Sequence, residues 1–204
     1  MTLYLTRLVL NPESPRVQTE LLQPYQLHRT IWRAFGEDLS GRLLYRLESD
    51  GALPVLLVQS PQLGHWEHLS QTGYLHEQHE LLPQNPAAKL FDPRFVRGQI
   101  LRFRLRANPT FRSGRRRLGH LDPERQMSWL ARRGAQSGFS LIEAAGRGEG
   151  FLALQKGGQR LRMYGVLFEG LLRVDEPEGV AEAVRDGIGS GKAFGFGLLS
   201  LKSP

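Results

Sequence analysis

The stretch GIGSGKAFGFGLLSL, residues 187–201, joins a glycine-rich run to a short apolar segment. Five glycines fall within residues 187–197, and glycine both adopts positive φ readily and lets another backbone approach closely. The N–H groups of such a loop can turn toward an anion, and Lys192 adds a cation at its centre. Residues 198–201 are typical of a short buried strand. The run therefore predicts either an anion-binding loop or a tight turn that packs the strand, and the sequence leaves both open.

Two common phosphate loops are excluded by the spacing. A P-loop has Ser or Thr directly after its lysine and a glycine five residues before the Gly-Lys pair. Here Ala193 follows Lys192, and Asp186 occupies the early glycine position. A dinucleotide-binding fingerprint opens a helix, whereas this run is followed by a predicted strand.

The elements that precede the glycine run predict a ferredoxin-like domain. Asp122 and Pro123 suit the N-cap and first turn of a helix that ends near Arg133. A second helix is predicted at residues 177–186. Strands are predicted at residues 99–107, 150–155, 161–174 and 198–201. The resulting order, βαββαβ, is that of a ferredoxin-like domain.

The first half of the chain shows the first four elements of this order, β-α-β-β, followed by an uncertain tail. Residues 2–10 are rich in β-formers, and Pro24 can begin a helix whose apolar residues follow at helical spacing, Leu27, Ile31, Ala34 and Phe35. Strands are predicted at residues 42–48 and 54–60, residues 64–80 are ambiguous, and the prolines of residues 82–93 indicate a linker. The sequence thus predicts an α+β protein of two tandem ferredoxin-like domains with antiparallel sheets. Their predicted bounds are 1–88 and 99–204, with a linker at 89–98.

Composition favours a polyanionic partner and excludes thiol chemistry. The net charge of the 204 residues is +7, the pI is near 10.2, and most basic residues are Arg, whose planar fork suits phosphates. The absence of Cys excludes disulfides, thiolate metal sites and a Cys nucleophile. No apolar run approaches the ~20 residues of a membrane span, and residues 1–7 lack the form of a signal peptide. We expect a cytoplasmic protein without a membrane partner.

Three basic elements of the second half could follow the phosphates of an RNA. Alternation places three arginines on one face of the strand at 99–107, residues 108–118 form a predicted basic loop, and a basic hairpin follows. The candidate side chains are Arg102, Arg104 and Arg106 in the strand, Arg112, Arg115, Arg116 and Arg117 in the loop, and Lys156, Arg160 and Arg162 in the hairpin. A solvated charged surface is the alternative for each, and the strand arginines could instead line a surface between domains.

Five segments, taken in order, resemble a known family. They are TLYLTRLVL at 2–10, YQLHR at 25–29, FRLRANP at 103–109, VLFEG at 166–170 and the glycine run at 187–201. Together they are similar to the CRISPR repeat-processing endoribonucleases of the CasE type, in the repeat-associated mysterious protein superfamily. The resemblance spans nearly the whole chain. It implies two ferredoxin-like domains, metal-independent cleavage of CRISPR repeat RNA stem-loops without a cofactor, and assembly with the other subunits of Cascade.

The resemblance also implies a catalytic role for the helix that begins at Pro24. The arc opposite its apolar residues carries Tyr25, Arg29, Trp32 and Arg33, with His28 at its edge. In metal-free cleavage the 2′-OH attacks the phosphate, which leaves a 2′,3′-cyclic phosphate and a 5′-OH. His28 suits proton transfer because an unperturbed His titrates near ~6.5. An unperturbed phenol titrates near ~10, so Tyr25 is expected to orient the substrate. Arg33 is expected to act at the phosphate. Arg29, Gly189, Gly191 and Lys192 are expected to bind RNA.

Two other functions stay open. A non-catalytic RNA-binding subunit of the same superfamily would share the glycine run and the basic faces. A metal-dependent nuclease or hydrolase would use the pairs His65/His68 and His76/His79, since residues three apart are neighbours on a helix. No HExxH motif is present and Gly73 interrupts the segment, so a solvated surface is favoured and no metal is expected.

Overall fold

In the computed structural model, which describes residues 2–36, 39–48, 51–78, 84–114, 116–156 and 159–204, the chain forms two units. The first comprises Met1–Asp92 together with Ala193–Gly195. The second comprises Pro93–Lys192 and Phe196–Pro204. Within the described part of the chain, no helix has the length and apolar character needed to cross a bilayer.

The first unit is an antiparallel sheet with helices. Its elements are β1 (Leu3–Val9), α1 (Pro15–Leu22), α2 (Pro24–Trp32), β2 (Leu44–Glu48), β3 (Val55–Ser60), α3 (Glu67–Ser70) and β4 (Ala87–Phe91). The strand order is β2-β3-β1-β4, and each neighbouring pair is antiparallel. The core includes Leu27 and Ile31 of α2 and Ala34 and Phe35 just after it. The predicted apolar face of this helix is therefore confirmed, and its opposite face is available for a functional site.

Two features of the first unit differ from the sequence prediction. Helix α1 was not predicted, and it ends at Leu22, immediately before Gln23 and the Pro24 that begins α2. Residues 82–93 were predicted as a linker, but β4 lies within them and pairs with β1. Pro86 and Pro93 flank this strand and do not interrupt it, which suits a short edge strand. The prolines mark the ends of an element here.

The second unit is a second antiparallel sheet with its own helices. Its elements are β5 (Ile100–Ala107), β6 (Thr110–Ser113), β7 (Arg116–Gly119), α4 (Pro123–Gln136), β8 (Phe139–Lys156), β9 (Gln159–Val174), α5 (Pro177–Asp186) and β10 (Leu199–Lys202). The main sheet has the order β10-β5-β9-β8, and β6 and β7 form a separate hairpin. The side chain of Asp122 accepts hydrogen bonds from the N–H groups of Glu124 and Arg125, which confirms the predicted N-cap of α4.

The second unit also differs from the prediction in two places. The predicted basic loop at 108–118 contains the hairpin of β6 and β7. Strand β8 begins at Phe139, eleven residues earlier than predicted, and continues through Gly146 and Gly148. A Cβ on Gly146 would lie 3.0 Å from the ring of Phe168, and one on Gly148 would lie 2.5 Å from the hydroxyl of Tyr164. These glycines leave room for side chains of β9, so they do not end the strand.

Candidate active site on helix α2

The imidazole of His28 lies among aromatic rings in the first unit. Tyr25, His28 and Trp32 are spaced three and four residues apart, which places them on one stripe of α2. The ring centroid of His28 is 6.3 Å from that of Tyr25 and 5.9 Å from that of Trp32. The ring of Tyr45, from β2, stacks on His28 at 6.0 Å with an interplanar angle of 20°. His28 is half-buried in this setting, so its ring is held in place while part of it stays accessible.

Tyr45 connects the start of α2 to a distant part of the chain. Its side chain is 1% exposed, and its hydroxyl lies 2.8 Å from the carbonyl oxygen of Pro24 and 3.1 Å from that of Ala193, either of which can accept its hydrogen bond. Ala193 belongs to the first unit, as does Phe194, whose buried ring lies 6.1 Å from that of Tyr25. Sequence reasoning missed Tyr45 because no motif marks it. The one available signal was that a buried tyrosine needs a hydrogen-bond partner.

Two exposed arginines follow His28 in the chain, one on α2 and one directly after it. Arg29 is the next residue, and Arg33 follows the last residue of the helix, with its backbone N–H donated to the carbonyl of Arg29 at 3.2 Å. Because both side chains are exposed, both guanidinium groups are accessible to an anionic ligand. The structure thus places the predicted residues Tyr25, His28 and Arg29 on one helix, with Arg33 directly after it. Their catalytic roles stay predictions.

A buried polar network holds α2 against α1. The hydroxyl of Thr30, on the inner face of α2, donates to Glu20 Oε1 at 2.9 Å, and the hydroxyl of Tyr74 donates to Glu20 Oε2 at 2.7 Å. Arg16 pairs with Glu20 at 2.9 Å and also donates to Thr30 at 3.0 Å. Burial, followed by the hydrogen bond to Glu20 and its charge, raises the pKa of Tyr74 far above its usual range. The network fixes the side of α2 that faces away from His28.

The predicted arginine face of β5 is present, but part of its charge is paired within the protein. Arg102 is exposed. Arg104 forms an ion pair with Glu169 at 2.7 Å, and Arg106 forms one with Glu149 at 2.5 Å. Arg106 also lies 4.7 Å above the ring of Phe196. Sequence reasoning missed both carboxylates, and they leave Arg102 as the most accessible candidate of this face for an RNA phosphate.

The remaining basic candidates are only partly described. Arg162 is exposed on β9, where its guanidinium lies 3.7 Å from the ring centroid of Phe151. Arg115 lies outside the described residues. So do the side chains of Arg112, Arg116, Arg117, Lys156 and Arg160.

The glycine run forms a packed turn. Gly189 and Gly191 have φ of +83° and +84°. A Cβ on Gly189 would lie 3.3 Å from Trp129, and one on Gly191 would lie 2.8 Å from Phe196. The backbone N–H of Gly197 donates to the carbonyl of Arg106, which anchors the run to β5. These contacts favour the turn that packs the last strand, and RNA binding by Gly189, Gly191 and Lys192 stays a prediction.

The described histidines of the alternative metal site, His65, His68 and His76, do not belong to a metal-binding group. Within the described ranges, no group of three or more His, Asp or Glu side chains is placed to hold a metal ion. His79, one of the four candidates, lies outside those ranges.

Comparison with known proteins identifies relatives along the whole length of the chain. The model of a family described as CRISPR associated protein matches residues 3–203. The CRISPR-associated endoribonuclease Cse3 of Thermus thermophilus is 38% identical over 219 aligned positions, which cover 98% of this chain and 99% of the relative.

Solved structures show the same fold. Thermus thermophilus Cse3, bound to an RNA representing a pre-cleavage complex, matches with a TM-score of 0.88 at 37% identity and covers 99% of this chain and 100% of its own. A chain of a CRISPR RNA-guided surveillance complex matches with a TM-score of 0.70 at 26% identity and covers 98% and 100%. With the two antiparallel four-stranded sheets, this likeness confirms the predicted α+β fold of tandem ferredoxin-like domains. The family model and the Thermus relative each extend over nearly the entire sequence, and the chain therefore belongs to the CRISPR-associated protein family.

Proposed function

We propose that the chain is a metal-independent endoribonuclease that cuts CRISPR repeat RNA stem-loops into mature crRNA. The observation that carries this proposal is the half-buried imidazole of His28, which lies among aromatic rings on a helix that exposes Arg29 and is followed directly by the exposed Arg33. The Thermus relative, named as an endoribonuclease and solved with a pre-cleavage RNA, supports the reaction class. The chain stays bound to its product as a subunit of Cascade in the cytoplasm, and its likeness to a chain of a surveillance complex supports that partner.

The reaction needs two proton transfers. The 2′-OH of one nucleotide attacks the adjacent phosphorus and loses its proton to a base, and the bond from phosphorus to the 5′-oxygen breaks as that oxygen gains a proton. Neutral imidazole accepts a proton at one ring nitrogen and donates from the other. His28 therefore serves one of these transfers, and the rings of Tyr25 and Tyr45 fix its plane.

The same step places additional negative charge on the phosphoryl oxygens. Guanidinium groups aimed at the place where charge develops stabilise a transition state more than the ground state. Arg33 stabilises this developing charge, and Arg29 binds the neighbouring phosphate. The phenol of Tyr25, one helical turn from His28, orients the attacking or leaving oxygen.

Replacement of His28 by Ala tests the proposal. With the cognate repeat RNA in excess EDTA, the wild-type chain should cleave once and leave a 2′,3′-cyclic phosphate and a 5′-OH. His28→Ala should slow this cleavage by roughly 10²–10⁴-fold with little change in RNA affinity. His65→Ala, which removes an exposed His from the same unit, is the matched control and should cleave normally.

Two results would contradict the proposal in different ways. Tight RNA binding by the wild-type chain with no cleavage would favour the non-catalytic subunit. Cleavage that is lost in EDTA and restored by Mg²⁺ or Zn²⁺ would favour a metal-dependent nuclease.

A further inference from the structure

An exposed tryptophan lies beside the candidate catalytic histidine. Trp32 is the last residue of α2, and its side chain is 38% exposed. The chain has three tryptophans, and the other two, Trp66 and Trp129, are only 4% and 1% exposed. Tryptophan is buried to a large extent in most proteins. Trp32 therefore presents a flat apolar surface to solvent instead of packing it fully into the core.

The surroundings of Trp32 indicate what that surface would bind. Its ring centroid lies 5.9 Å from that of His28, and the exposed Arg29 and Arg33 lie three residues before it and one residue after it in the chain. An exposed aromatic face in a segment that also exposes two arginines is complementary to a nucleotide, which combines a flat base with an anionic phosphate. A nucleotide whose phosphate lies at His28 can place its base on Trp32, because only the sugar separates the two groups.

We propose that Trp32 is a stacking platform for an unpaired nucleobase of a nucleotide that flanks the scissile phosphate. The inference rests on the proposed function, which places the scissile phosphate at His28. Stacking on an aromatic side chain tolerates any base, since every base has a π-face. The site therefore recognises that a base is present and unpaired, and it does not read the base's identity. Without the stacking, affinity falls by roughly 5- to 150-fold.

Fluorescence isolates Trp32 from the other tryptophans, because acrylamide reaches an exposed indole far more readily than a buried one. The probe is the repeat RNA with a 2′-deoxy nucleotide at the attacking position, which prevents cleavage. We expect this RNA to protect wild-type fluorescence from acrylamide. The same RNA with an abasic site at the stacked nucleotide, one of the two that flank the scissile phosphate, should bind without protecting it. Equal protection by the intact RNA and by both abasic RNAs would overturn the proposal.

A double-mutant cycle tests the same interaction by affinity. Trp32→Leu should weaken binding of the uncleavable RNA by roughly 5- to 150-fold, whereas Trp32→Tyr, which keeps an aromatic face, should lose much less. On the abasic RNA, wild type and Trp32→Leu should bind equally. Leu22→Ala, which trims an 81% exposed apolar side chain on α1, is the matched control and should change neither affinity. An equal loss for Trp32→Leu on intact and on both abasic RNAs would overturn the stacking role.

The two proposals fail separately. Cleavage of unmodified repeat RNA by the wild-type chain depends on His28 and does not enter either binding experiment. A chain that cleaves but shows no coupling between Trp32 and a base refutes stacking alone. A chain that shows the coupling but never cleaves refutes the nuclease assignment alone.

Discussion

Gly191→Ala should destabilise the protein more than Gly98→Ala, although both glycines have a φ of +84°. An L-residue with positive φ costs about 1–2 kcal/mol, and both variants carry that cost. A Cβ on Gly98 would meet nothing within 4 Å. A Cβ on Gly191 would lie 2.8 Å from a ring carbon of Phe196 and 3.1 Å from the sulfur of Met163. A comparison of the two variants therefore separates the free-energy cost of the backbone conformation from that of the packing clash.

The packing cost follows from how freely each neighbour can move. The sulfur of Met163 is the adaptable part of a flexible side chain. The ring of Phe196 is fully buried and lies beneath the guanidinium of Arg106, so it has little room to shift. Adding a methyl group to such a site costs about 1–3 kcal/mol. For a chain of this size each kcal/mol lowers Tm by about 2–4 °C, so the Tm of Gly191→Ala should lie about 2–12 °C below that of Gly98→Ala.

Thermal unfolding followed by circular dichroism measures this difference. The affinity for repeat RNA is then measured well below both transitions, where both variants are folded. A turn that only packs β10 predicts equal affinities for the two variants. Equal Tm values would refute the packing argument. A lower RNA affinity confined to folded Gly191→Ala would instead support the anion-binding loop.

Three further predictions concern side chains described above. Tyr45→Phe removes the hydroxyl that lies within hydrogen-bond reach of the carbonyl oxygens of Pro24 and Ala193. The Tm should therefore fall by an amount equivalent to about 1–3 kcal/mol, and single-turnover cleavage should slow. An unchanged Tm and an unchanged cleavage rate would refute the role of this hydroxyl in holding the two segments. Burial and Glu20 raise the pKa of Tyr74 in the folded chain above its ordinary 10.0. The stabilising contribution of the protonated phenol is therefore complete below the ordinary pKa and is lost as the pH rises toward the raised pKa. Urea unfolding above pH 10 should show a steeper loss of stability with pH in wild type than in Tyr74→Phe, and identical slopes would count against this prediction. Arg102→Ala should flatten the salt dependence of RNA binding by about 0.7–0.9 in log–log slope for each RNA phosphate that is no longer neutralised. Arg104→Ala should flatten it less, because the charge of Arg104 is paired with Glu169. Flattening of the same size by both substitutions would show that the ion pair opens on binding.

Local patterns in the sequence predicted the parts of the site that depend on one helix. Helical spacing after Pro24 separates Leu27 and Ile31 from the stripe of Tyr25 and His28, and the structure has the same division. The contact between His28 and Tyr45 could not be predicted in this way, because it depends on where β2 meets α2 in the folded unit.

The ion-pair partners of the β5 arginines could not be predicted from the sequence for a related reason. Alternation predicts that Arg104 and Arg106 share a face, but it does not say which side chains of neighbouring strands lie beside them. Arg104 lies opposite Glu169 in the register of β5 and β9. Glu149 lies at a shift in the register of β8 and β9, between Gly148 and Gly150. Such a shift re-aims a side chain, and periodicity along one strand carries no information about it.

The assignment of Ala193–Gly195 to the first unit has a consequence for the order in which the protein is synthesised. A ribosome that has released residues 1–92 has delivered every strand of the first sheet, and domains generally begin to fold as they emerge. The carbonyl of Ala193 beside the Tyr45 hydroxyl and the Phe194 ring beside Tyr25 arrive only about a hundred residues later. A nascent or prematurely terminated chain therefore has the histidine without its complete surroundings. The surroundings of His28 are thereby completed only after synthesis has passed residue 195.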